Sequence, residues 1–153
     1  MTAFVNPRLA NRTDYLTFLR GIGITTAVLP DDSMWIGISY DVSIGTVNTL
    51  IAILCPPIYP LAVYNLGADR LLNFAQDQPN MSFFADFRAN NGLMKFSPGL
   101  ISSAGDQGTS DSFEVIAAAK NMTISDLQMM RTPYGRAYLG IAQSYGPTIW
   151  GLS

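Results

Sequence analysis

A chain of 153 residues fits one domain and is long enough to bury a single core. Hydrophobic residues make up 48% and charged residues only 13%, with a net charge of −2; that is too little charge to cover a small monomer, and no Lys/Arg cluster is present for nucleic acid. Histidine is absent altogether, which removes the commonest general base and metal ligand, so composition points away from an enzyme and toward an obligate oligomer.

The first residues, Met1 to Arg12, mix polar and apolar types and do not read as a signal peptide. The Asn-X-Ser/Thr triplets at Asn11, Asn80 and Asn121 are accordingly read as chance. Thr13 is placed to cap a short amphipathic helix through Tyr15, Leu16, Phe18 and Leu19, ended by Gly21 and Gly23. Pro30-Asp31-Asp32-Ser33 is a second start signal, with acids well placed for the helix dipole. Met34, Ile38, Val42 and Val47 predict a helix after it. Gly37, Gly45 and the β-branched residues leave a partly extended path open.

From Asp41 to Asp69 no charge intervenes, and Leu50 to Tyr64 is continuously apolar. Pro56, Pro57 and Pro60 would break a membrane-spanning helix near its middle, and the apolar run falls short of the ~18–20 residues a span needs. The run is therefore expected to form two core helices. Cys55, within it, reads as a buried, inert thiol with no partner for an intrachain disulfide. The strongest helix is predicted from Pro60 to Gln76, apolar almost all round, with Asn65, Asp69, Asn73 and Gln76 as a narrow polar stripe. Asp69 beside Arg70 reads as a surface or interface pair.

Ser82 is expected to cap a helix carrying Phe83, Phe84 and Phe87, closed by Asn90-Asn91-Gly92. Ser97 to Ser112 is rich in glycine, serine and aspartate, and predicts a long extended loop or loose hairpin, with Phe113 to Ile116 as a short strand. Its Gly105 to Ser110 portion lacks the lysine of a phosphate-binding loop, and Asp106, Asp111 and Glu114 would repel phosphate. Thr123 and Ser125 compete to cap a helix from Ser125 to Met130. Thr132-Pro133 then reads as N-cap and first helical residue, followed by Tyr134, Tyr138, Ile141 and Tyr145 at helical spacing. Gly146-Pro147 ends the run. Beyond it, Trp150 either folds back on its own domain, or Ile149, Trp150 and Leu152 anchor the chain in a partner's pocket. Arg136 either pairs with the chain's own aspartates or crosses a subunit boundary to a carboxylate such as Asp69. No catalytic, metal-binding or cofactor-binding residue is assigned. The expected fold is mainly α, one domain over 1–153: a small helical bundle with an extended loop or short β-hairpin at 97–112 and a protruding C-terminal tail at 146–153.

The order of these pieces resembles the head-to-tail connector (adaptor) proteins of tailed bacteriophages. The stretch Tyr59-Pro60-Leu61-Ala62-Val63-Tyr64-Asn65-Leu66-Gly67-Ala68-Asp69-Arg70-Leu71-Leu72 is similar to that family's central helix, although many members have a histidine where Asp69 stands. Gly99-Leu100-Ile101-Ser102-Ser103 and the polar stretch to Asp111 resemble its extended loop. Thr132-Pro133-Tyr134-Gly135-Arg136-Ala137-Tyr138-Leu139 resembles its closing Thr-Pro-Tyr-Gly segment. The likeness runs from about Pro30 to the C-terminus and is weak over the first thirty residues. It implies a homo-oligomeric ring, typically of twelve copies, bound beneath the portal protein and leaving a channel through which DNA passes without sequence-specific binding. It implies the virion neck as location, assembly in the host bacterial cytoplasm, and a collar, stopper or tail-terminator protein as further partner. Within that frame Ile149, Trp150 and Leu152 are candidate portal-binding residues. Asp69, Arg70, Arg136 and Tyr138 are candidates for the subunit interface, and Asp106, Asp111 and Glu114 for the channel or a neighbour. The alternatives are another neck or tail component, such as a collar, stopper or tail terminator, or a small membrane protein.

Overall fold

The computed structural model describes residues 4–94, 103–106, 109–112 and 123–145. Its helices begin where the sequence supplies side-chain acceptors. Helix α1, Arg12–Gly21, is capped by Asn11, whose side chain accepts from the Asp14 amide at 2.8 Å. Asn11 therefore takes the capping place expected of Thr13, because only a residue at that position faces the orphan amide of Asp14. The chain leaves α1 through Gly23 at φ +97, a left-handed conformation that glycine adopts without a Cβ clash.

Helix α2, Met34–Thr46, is capped by Ser33 and is helical throughout, with no extended path. Its weak intrinsic propensity is offset by packing along its neighbour. The prolines divide the apolar run as expected: a single-turn α3, Leu50–Leu54, then α4, Ile58–Phe74. Cys55, between them, is half-buried rather than fully buried. No helix among the described residues is long and apolar enough to cross a membrane.

Helix α5, Phe83–Asn90, has Ser82 at its N-cap position as expected, but the Ser82 side chain accepts no amide bond there. Asp77 reaches in from the loop instead, accepting from the amides of Phe84 at 2.7 Å and Ala85 at 2.9 Å. A short antiparallel hairpin, β1 Ser103–Asp106 with β2 Thr109–Ser112, lies within the predicted polar stretch. The strand expected at Phe113 to Ile116 lies outside the described residues. Thr123 wins over Ser125 as cap of α6, Ile124–Met129, because it forms a reciprocal capping box with Asp126. Helix α7, Pro133–Tyr145, closes the described chain.

These pieces make a mainly α bundle around α4. Eleven of its seventeen residues are buried, and α2 and α7 both pack along it. The first turn of α7 meets α4 near Asp69, and α7 also reaches α3, so it runs antiparallel to α4. Gly67 and Phe74 of α4 face Tyr15 and Trp35 respectively. At about 100° per residue, both positions lie on the opposite side of α4 from Asp69. The helices α2 and α7 therefore flank α4 on two sides.

Candidate functional site

Asp69 is the polar centre of the described structure. It is 1% exposed, so the expected surface or interface pair is corrected: the carboxylate faces the interior. The Thr132 hydroxyl donates to Asp69 Oδ1 at 2.5 Å and accepts from the Gly135 amide at 2.9 Å. One threonine thus caps α7 and ties it to α4. A Cβ on Gly135 would stand 2.8 Å from Asp69 Oδ1 and 2.7 Å from the Met129 carbonyl carbon. The glycine is what lets the helices approach this closely. Burial, the largest influence, raises the Asp69 pKa above its ordinary 3.8, against the opposing pulls of Thr132, Arg70 and Asn73.

Arg70 is half-buried, with an Nε that has no hydrogen-bond partner among the described residues. Tyr138 packs against the core; burial raises its phenol, while Arg70 pulls it down and Asp126 adds to the rise. Arg70 and Tyr138 are therefore part of the junction between α4 and α7. Arg136 points elsewhere. It is exposed, its Nη1 donates to the Met130 carbonyl at 2.8 Å, and the buried Asp69 is closed to an arginine from outside.

On the other side of α4 lies an aromatic cluster. The Tyr15 hydroxyl and Ser39 Oγ are 2.9 Å apart, and both residues are fully buried. Burial holds the Tyr15 phenol well above its ordinary range, against the weaker effect of Ser39. Tyr64 stacks near Tyr15, Phe4 and Phe18, and accepts from the Asn11 amide at 3.1 Å. Gly67 makes room for the Tyr15 ring, since a Cβ there would lie 2.8 Å from its hydroxyl. These phenols are packing groups fixed by hydrogen bonds. Among the described residues no group of three or more His, Cys, Asp or Glu side chains is placed to hold a metal ion.

The outer surface of α2 and α3 is a different matter. Met34, Ile38 and Val42 are 62%, 40% and 46% exposed, one turn apart along α2. Leu50, Ile53 and Leu54 of α3 are exposed as well. Meanwhile α2 buries Ile36, Ser39 and Ser43, and the two serine hydroxyls donate to the helix's own carbonyls at Ile36 and Ser39. Serines in and large aliphatic side chains out is the reverse of an ordinary surface helix. Periodicity puts Met34, Ile38 and Val42 on one helix but does not say which way that row faces. The available signal was Ser39 and Ser43 at a spacing of four, opposite the aliphatic row.

The remaining candidates fall in two groups. Asp106 lies on β1 and Asp111 on β2. Glu114 and the portal-binding candidates Ile149, Trp150 and Leu152 lie outside the described residues. Comparison of the chain with protein families, with curated proteins and with solved structures finds no match.

Proposed function

We propose that this chain is a structural virion protein, a head-to-tail adaptor that forms a ring beneath the portal and joins the capsid vertex to the tail. The observation that carries the reading is the exposed aliphatic surface of α2 and α3 on a small, mainly helical subunit. A surface of that kind belongs against other protein. The helical architecture suits an adaptor better than the stopper and tail-terminator proteins, which are usually richer in strand. The order of the central helix, polar hairpin and closing Thr132-Pro133-Tyr134-Gly135 segment supports the same family.

In this reading the ring bounds a channel for DNA. Low positive charge and the acidic residues Asp106, Asp111 and Glu114 keep the polyanion from being gripped. Ile149, Trp150 and Leu152 dock in a portal pocket as an aromatic and aliphatic anchor. The test is electron microscopy of the protein mixed with its portal. A ring stacked on the outer end of the portal is the expected result, and absence of any association rules the reading out. Deleting residues 150–153 should weaken portal binding with no change in helical content; unchanged binding would remove the anchor.

A further inference from the structure

We infer that the outer face of α2 packs, head to tail, against the outer face of α7 in a second copy of this chain, with Asp41 of one paired to Arg136 of the other. The inference rests on the ring in the proposed function and not on its place in a virion. It begins with the inside-out helix: Met34, Ile38 and Val42 form a ridge along α2 that nothing in its own chain covers among the described residues.

Charge narrows what covers it. Between Arg20 and Arg70 there is no lysine or arginine, while Asp31, Asp32 and Asp41 are present. An anionic lipid surface would be repelled, since interfacial helices carry their cations on the flanks. Asp41 sits beside Met34 and Ile38 on the helical wheel and is exposed. Packing the ridge against its own symmetry mate would put two Asp41 carboxylates in one interface with no cation to pair them, so an isologous pairing is disfavoured. The ridge calls for a smooth, uncharged surface with a cation at one end.

Another flank of the same molecule offers that surface. On α7, Tyr134, Gly135, Tyr138, Ile141 and Tyr145 turn inward, which leaves Arg136, Ala137, Gly140, Gln143 and Ser144 exposed. Ala137, Gly140 and Ser144 line an exposed face of small side chains, and a Cβ on Gly140 would meet nothing within 4 Å. Both helices rise about 1.5 Å per residue. Laid antiparallel with Asp41 opposite Arg136, they therefore place Ile38 over Gly140 and Met34 over Ser144 to within one residue. Because the α2 ridge and the α7 face lie on different sides of α4, each copy uses both. A heterologous contact of this kind propagates, and closes into a ring when the rotation allows.

The experiment uses cysteine pairs in the full chain carrying Cys55→Ser. One variant adds Ile38→Cys and the other Gly140→Cys, both at exposed positions, with helical content checked by circular dichroism. Under oxidation the mixed variants should give a 38–140 heterodimer, and a chain carrying both cysteines should give a ladder of covalent multimers. Asp41→Arg or Arg136→Asp should each cut the mixed cross-link at least tenfold, and the two together in one chain should restore it. Ile38→Cys dimerising with itself as readily as with Gly140→Cys overturns the inference. So does the absence of a 38–140 cross-link at the highest soluble concentration, or no recovery in the double charge reversal. A ring on the portal without the 38–140 cross-link would leave the proposed function standing and remove this interface. The ladder without portal binding would do the opposite.

Discussion

A methyl group at position 135 has no space to occupy, because the Met129 carbonyl and the Asp69 carboxylate both crowd the place where it would stand. Gly135→Ala should therefore push α7 off α4 and lower stability by about 1–3 kcal/mol in urea unfolding. A midpoint equal to that of the parent chain would contradict the packing described. The neighbouring Asp69 makes a pH-dependent claim. Its folded pKa is raised by burial, so the folded state binds the proton more tightly than the unfolded chain. Stability from this group is then lost as pH rises through the interval above 3.8, and recovered on acidification. Asp69→Asn keeps an acceptor for Thr132 and abolishes the titration. The advantage of the variant over the parent should grow with pH across that interval, and a constant difference would count against it. In the sequence the Thr132 cap was legible because the Gly135 amide that donates to it lies only three residues away. Its bond to Asp69 was not, because the two are 63 positions apart.

Elements show the same division between local and distant signals. Ser33, Thr123 and Thr132 cap their helices from adjacent positions, and each was readable as Ser or Thr before a helical run. The N-terminus of α5 was legible in position but not in its acceptor, which comes from Asp77, seven residues before Phe84. Asp77→Ala leaves two amides of that first turn unmet and should cost about 1 kcal/mol, against a few tenths for Ser82→Ala. A thermal melt of the two variants decides between them; equal losses would return the cap to Ser82. Helix α2 is legible as an element, whereas the direction in which its row of Met34, Ile38 and Val42 faces is not. Periodicity locates an apolar row without saying whether the core or another molecule covers it.

For the whole molecule, the mainly α architecture and the centrality of α4 follow from a helix apolar almost all round. Such a helix opens only when the domain opens. In native-state hydrogen exchange the amides from Val63 to Leu72 should be the slowest of the described chain, and those of α3 among the fastest. Exchange in α4 as rapid as in α5 would show that the core is organised otherwise. What composition conveyed at this scale was the shortage of charge. Which surface bears that shortage depended on how α2 and α3 lie against α4.

The hydrogen bonds of α4 also set an order of events during synthesis. Tyr64 is bound to Asn11, 53 residues earlier, whereas Asp69 waits for Thr132, 63 residues later. As the chain leaves the ribosome, α1 and α2 can settle on one side of α4 while the other side still faces water. Asp69 remains hydrated and ionised through that interval, and it loses its water only when α7 emerges and docks. Docking of α7 thus turns an ordinary surface acid into a buried one.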